Sequence, residues 1–212
     1  MTFSSCLAEE DCALTLDASV AINLLATQRA GPILRALSRP ILITDNVVRE
    51  IDQGAANGRA EIDLLRQMIA DETVRIIELS EQALQTFFEL VSGSAAESLG
   101  DGEAATLAFA YANHCSAAID EKKATRLSAD RFAGLQLATT VDILAHDAVR
   151  SAIGQNALAE AALQALRQAR MQVREHQFGW VLDLIGPDNV ATCTSLRRLA
   201  SHHASRSKAK TA

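Results

Sequence analysis

Four carboxylates, Asp17, Glu50, Glu103 and Asp120, stand where an open α/β sheet would gather them. Asp17 closes the apolar run Ala-Leu-Thr-Leu, and Asp120 closes Ser-Ala-Ala-Ile; each run is short enough for a strand ending in an acid. Glu50 lies in Asn-Val-Val-Arg-Glu-Ile, directly after the strand-like Ile-Leu-Ile-Thr. Glu103 lies in Leu-Gly-Asp-Gly-Glu-Ala-Ala-Thr-Leu-Ala, at the start of the helix expected before Asp120. The carboxyl ends of parallel strands open into one crevice, so residues in these positions converge. Carboxylates brought together repel one another unless a divalent cation occupies the space between them. The chemistry such a site supports is metal-assisted phosphodiester cleavage.

The elements that must position these acids are legible as alternating periods. Strand-like runs fall at 13–17, 41–44, 74–79, 116–120 and 136–139, with helical periodicity between them. Val20, Leu24 and Leu25 mark the first helix, and Ile62, Leu65, Met68 and Ile69 another. Ala83, Phe87, Leu90 and Val91 mark a third, and Leu107, Ala108, Tyr111 and Ala112 the helix that begins near Gly102. Strands alternating with helices of this length predict βαβ units, a parallel sheet and right-handed crossovers. After Thr140 only helices are expected: Val141–Ile153, Asn156 to about His176, the apolar Gly179–Ile185 stopped by Gly186-Pro187, and Thr192 to about Ala204. The polar, basic end, with His202, His203, Arg206, Lys208 and Lys210, is expected to be mobile.

The chain has 212 residues, 49% of them hydrophobic, enough for one large domain or one domain with an appendage. A net charge of −6 argues against a generally basic nucleic-acid coat, while leaving room for a local basic rim. Glu9, Glu10 and Asp11 interrupt the start, so no signal peptide is expected there. The least charged window, Ala104 to Ile119, is too short and polar to span a bilayer, so no membrane association is expected. Cys6, Cys12, Cys115 and Cys193 form no C-x-x-C pair and read as reduced thiols of a cytoplasmic protein.

The runs 16–25, 43–51, 99–108 and 118–127, followed by Leu-Ala-Thr-Thr-Val-Asp-Ile-Leu at 137–144, resemble the PIN-domain family in content and in order. The helical stretch at 156–185 is similar to a prokaryotic branch near the VapC-type toxins. The resemblance covers about 13–185. It implies an α/β fold, a PIN-like three-layer α/β/α architecture with a central parallel sheet of about five strands and a C-terminal helical extension. The organisation expected is an N-terminal segment at 1–12, the PIN-like domain at 13–148, the extension at 149–200 and a basic disordered tail at 201–212.

For function, the resemblance implies an endoribonuclease dependent on Mg2+ or Mn2+, with Asp17, Glu50, Glu103 and Asp120 around the metal. RNA is the implied substrate, an antitoxin protein the partner if the chain is a toxin, and homodimers are common in the family. Many relatives carry two aspartates where this chain has Asp120-Glu121, so Glu121 reads either as a substitute ligand or as a base behind the ligands. The competing reading is a non-catalytic interaction scaffold on the same fold. Each acid also has a structural alternative: Asp17 and Asp120 as helix N-caps, Glu50 as an exposed helix residue, and Glu103 as a complement to a helix dipole. Asp101 is expected to be the N-cap of its helix, with an accessory place at the acidic site as the alternative. Ser19 could bond a carboxylate or a metal-bound water, or help start its helix. Lys122, Lys123 and Arg126 are either phosphate contacts or a solvated helix face.

Overall fold

Why the chain folds as it does is clearest at the centre of its sheet. The computed structural model describes Leu7 and residues 12–55, 61–94 and 97–210. The chain runs β1 (Leu14–Leu16), α1 (Ala18–Ala26), α2 (Ala30–Ala36), β2 (Ile41–Thr44), α3 (Asp45–Ala55), α4 (Glu61–Ala70), β3 (Arg75–Ile77), α5 (Glu81–Val91), α6 (Asp101–Ala112), β4 (Ser116–Ala118), α7 (Lys122–Arg131) and β5 (Leu137–Ala138). It continues through α8 (Thr140–Ala145), α9 (Asp147–Ile153), α10 (Gln155–Gln168), α11 (Phe178–Ile185), α12 (Pro187–Thr192) and α13 (Arg197–Lys210), with 3-10 turns at Glu175–Gln177 and Thr194–Leu196.

The five strands form one parallel sheet in the order β3-β2-β1-β4-β5. Chain direction across the sheet reverses between β1 and β4, where Leu14 pairs with Ser116 and Leu16 with Ala118. That reversal is the switch point at which open α/β sheets leave a crevice outside the strand ends. Side-chain alternation along the strands divides the core into two layers. Leu14, Leu16, Ile41, Ile43, Ala118 and Ala138 bury against α1, α2 and the C-terminal helices, which contribute Leu158, Phe178, Val181 and Leu196 to the same cluster. Ala117 and Ile119 face the other way, against Ala104 and Leu107 of α6 and Ala124 and Leu127 of α7. The result is the expected three-layer α/β/α arrangement, with the helical extension packed into the larger core.

The structure corrects several boundaries. The stretch 141–153 is two helices, because His146 takes an extended conformation (ψ 133°) and its Nδ1 accepts from Ala148 N at 3.3 Å to start α9. The long helix expected to reach His176 stops at Gln168; Met171 N bonds Ala165 O at 3.1 Å and buries its side chain instead of continuing the helix. Gly154 (φ 79°) and Gly186 (φ 78°) make the turns into α10 and α12, a backbone that glycine adopts without steric cost. Residues 201–210, expected as a disordered tail, continue α13. This stretch contains no glycine or proline, so nothing local stops a helix already started at Arg197. Most of the N-terminal segment expected at 1–12, and the last two residues of the tail, lie outside the described residues. Among the described residues, Cys12, Cys115 and Cys193 are free thiols, and no helix is long and apolar enough to cross a membrane.

Candidate functional site

Asp17 leaves the end of β1 and caps α1, with Ser19 N donating to Oδ2 at 3.2 Å and Ser19 Oγ donating to the same oxygen at 2.6 Å. The helix-cap alternative for Asp17 is therefore realised, but it engages one oxygen only. Oδ1 is shielded from solvent and has no hydrogen-bond partner among the described residues. A buried carboxylate oxygen in that condition is costly unless a donor or a cation meets it.

Asp120 sits two residues beyond β4, beside Asp17 across the switch point. It does not cap α7. Glu121 does that, accepting from Ala124 N at 2.8 Å. Asp120 turns inward, where Asn23 Nδ2 donates to Oδ2 at 2.7 Å, Thr140 N to Oδ1 at 2.8 Å and Thr140 Oγ1 to Oδ2 at 2.5 Å. Asp17 is 2% exposed and Asp120 5%, so both are nearly removed from water.

Glu103 and Glu50 come from helices packed over the carboxyl end of the sheet. α6 lies against β1, β2, β4 and α3, which brings its first turn over the cleft. Its N-cap is Gly100, and Glu103 Oε2 accepts from Gly100 N at 3.2 Å. Asp101, expected as the cap, is instead the first helical residue and is exposed beside a separate depression lined by Asp45, Asn46 and Arg49. Glu50, on α3, is solvent-exposed on one side and rests its carboxylate on Gly102; a Cβ at Gly102 would collide with Glu50 Oε2. That close approach explains a glycine inside the first turn of a helix.

Electrostatically these groups act on one another. Burial pushes all four carboxyls up. Glu103 is raised to about 7, by burial first and then by the charges of Asp17, Glu121 and Glu50. Glu50 feels Asp17 and Asp101, Asp120 feels Asp17, and Asp17 feels Glu121. The charges acting on the group are thus other carboxylates, and none of the four joins an ion pair among the described residues. A cleft of about 220 Å³ opens here, lined by Ser19, Asn23, Glu103, Asp120, Glu121 and Arg170.

The donor set suits a hard, oxygen-preferring cation: carboxylate oxygens, one of them orphaned and buried. Among the described residues, no three acidic, imidazole or thiol groups are drawn tightly enough to form a finished cage. Three of the acids are held by hydrogen bonds instead: Asp17 by Ser19, Asp120 by Asn23 and Thr140, and Glu103 by Gly100 N–H. Asp17, Ser19 and Asp120 have places fixed by such bonds; Glu103 is tied to its own helix start and Glu50 rests on Gly102.

The basic candidates divide. Lys122 lines a neighbouring trough, whereas half-buried Lys123 and exposed Arg126 line neither it nor the acidic cleft. Sequence reasoning missed the residues that hold Asp120. Asn23 carried one signal, a polar side chain on the apolar face formed by Val20 and Leu24. A second support comes from the C-terminal extension. Arg174 Nη2 donates to Thr125 Oγ1 at 2.8 Å and reaches Asp120 O at 3.4 Å. Fully buried Gln177 donates to Thr139 Oγ1 at 2.8 Å and Asp142 Oδ1 at 3.0 Å, closing the cap of α8 next to Thr140.

A family model described as a PIN domain matches residues 13–187. No curated protein matches. Among solved structures, VapBC2 from Rickettsia felis, bound to a DNA fragment from its promoter, is similar at a TM-score of 0.46 and 15% identity, over 60% of this chain and 98% of that one.

Proposed function

The chain belongs to the PIN-domain family, and from that premise we propose that it is a divalent-metal-dependent endoribonuclease whose acidic cleft binds Mg2+ or Mn2+ and cleaves RNA phosphodiester bonds. The observation that carries this reading is the orphaned, buried Asp17 Oδ1 in a group of acids that raise one another's pKa and join no ion pair among the described residues. A scaffold has no physical use for that arrangement, since exchanging one acid for its amide would relieve the repulsion.

In this reading Asp17 and Asp120 are the fixed ligands. Asp17 offers Oδ1 while Ser19 orients Oδ2, and Asp120 is held in register by Asn23 and Thr140. Glu50 and Glu103, reaching in from α3 and α6, complete the set directly or through water. Glu121, with one oxygen engaged by Ala124 N–H, orients water at the cleft edge. A bound divalent cation supplies positive charge that polarises the scissile phosphate and acidifies water for in-line attack. Glu103 must lose its proton to take part, so a cation has to displace that proton and binds the metal-free protein more tightly as pH rises. A small antitoxin protein and a second copy of the chain are the partners this reading includes, on the VapC-type resemblance.

The test is cleavage of a mixed RNA pool with Mn2+ or Mg2+ by the wild type, Asp17→Asn and Asp120→Asn, beside a chelator control. Metal-dependent cleavage lost in both variants is expected. Cleavage that survives either substitution, or that ignores the chelator, would overturn the assignment. A wild type silent on RNA and indifferent to metal in a thermal melt would favour the scaffold.

A further inference from the structure

The chain that follows α10 forms one wall of the acidic cleft. Arg170 there holds a left-handed backbone (φ 55°), the turn that ends α10 as Met171 N bonds back to Ala165 O. Arg170 and Gln172 line the cleft that also holds Glu103 and Asp120. Arg170 is exposed and makes no ion pair among the described residues.

Gln172 also lines a second, larger trough of about 710 Å³, so the two depressions share a wall. The border falls between adjacent residues: Glu121 lines the acidic cleft and Lys122 the trough. Opposite Lys122 stand Ser195, Arg198 and Ser201 from the start of α13 and the turn before it. Ser195 Oγ is shielded from solvent and has no hydrogen-bond partner among the described residues. Lys122 and Arg198 are exposed and join no ion pair among the described residues, while the acid on this wall, Glu175, meets His202 at 3.3 Å. The polar part of the lining is hydroxyls, an amide and cations, set beside apolar surface that includes Val173 and Leu199. Those polar groups are of the kind that meet phosphate and sugar, and the cations among them favour a polyanion.

We propose that this trough binds the sugar–phosphate backbone of the RNA on one side of the scissile bond, with Arg170 and Gln172 at the junction and Lys122 and Arg198 on flanking phosphates. The proposal rests on the nuclease reading above and extends it by assigning α13 to the substrate path. A polyanion entering an acidic cleft needs cationic surface where its flank emerges, and the trough supplies it beside the only wall the C-terminal extension contributes to that cleft among the described residues.

The test compares RNAs of ~16 and ~4 nucleotides, the span of single-strand site sizes on compact modules, using the full-length wild type and the double variant K122A/R198A. The wild type should cleave the longer RNA with kcat/KM roughly tenfold above the shorter, and the variant should lose that preference through KM. In chelator, the slope of log affinity against log salt for the longer RNA should fall by about 1.4, near 0.7 for each phosphate contact removed. A melting temperature equal to the wild type's should accompany these losses, since both side chains are exposed. Wild-type cleavage without length preference, or a variant with unchanged KM and salt slope, would overturn the trough and leave the nuclease reading standing. A wild type that neither binds nor cleaves either RNA would overturn both. A polyglutamate peptide that binds with this variant sensitivity while RNA does not would assign the trough to an acidic protein instead.

Discussion

Replacing Glu103 with Gln should make the metal-free protein more stable, by an amount that depends on pH in a calculable way. The amide keeps an oxygen to accept from Gly100 N–H, so the helix start survives while the charge is removed. In the folded chain the Glu103 carboxyl is raised from 4.5 to about 7, chiefly by burial. Below 4.5 the group is protonated in both the folded and unfolded states and the substitution changes nothing. Between 4.5 and about 7 the unfolded chain ionises while the folded one resists, so wild-type stability contributed by this group falls as pH rises. Above about 7 the penalty is complete. At 1.36 kcal/mol for each tenfold change it is at most ~3.4 kcal/mol, and solvent at the cleft mouth should reduce it to about 1–2 kcal/mol. For a chain of this length that is roughly 2–8 °C in melting temperature. Thermal melts of both proteins in chelator at pH 4.5, 6 and 8 provide the measurement, with no gain expected at the lowest pH and the full gain at the highest. Adding Mn2+ at pH 8 should reverse the order, because a cation bound only by the folded state stabilises the protein with the intact ligand set more. A Glu103→Gln protein less stable than wild type at pH 8 in chelator would refute the claim that uncompensated carboxylates crowd this cleft.

Thr140→Val removes a hydroxyl that donates to Asp120 and accepts from Asn23. It should lower the urea-unfolding free energy by about 1–3 kcal/mol, and a loss within error of zero would show that Asp120 is not held as described. Gly102→Ala should push the Glu50 carboxylate off its seat while leaving stability equal or up to ~1 kcal/mol higher, because alanine is the better helix former. Metal-dependent cleavage should fall about tenfold, at 1.4 kcal/mol for such a factor, and full activity would remove Glu50 from the site. Arg174→Met should reduce cleavage more than stability, since Arg174 braces Thr125 and the Asp120 carbonyl. Equal activity and a lower melting temperature would make its role purely structural.

The elements with strong local periods were legible in the sequence. Apolar runs ending at Asp17 and Asp120 sit on neighbouring parallel strands, as their pattern required, and the strands stop short of those acids because the chain leaves the ladder to start new helices. Less legible was what each acid does once there. Asp120 looked like a helix cap by position, but its partners Asn23 and Thr140 come from distant parts of the chain, and such bonds leave no local signature. The breaks at His146 and Arg170 were hidden for a related reason: neither involves glycine or proline, and each is made by bonds and burial that only the folded chain supplies. The end of the chain misled through composition. Serine, histidine and basic residues suggested mobility, whereas the absence of helix breakers lets α13 run on to Lys210. Its first turn contributes Arg198 to the trough beside the cleft, a placement that depends on how the extension packs against α1.

Mn2+ titration followed by electron paramagnetic resonance reads out whether Asp17 and its neighbours jointly hold a divalent cation. The signal of free Mn2+ should diminish as wild-type protein is added at pH 8, return when Mg2+ is added in excess, and persist largely undiminished with Asp17→Asn. Wild type and Asp17→Asn that deplete free Mn2+ equally, or a wild type that leaves it untouched in the presence and absence of RNA, would contradict the claim.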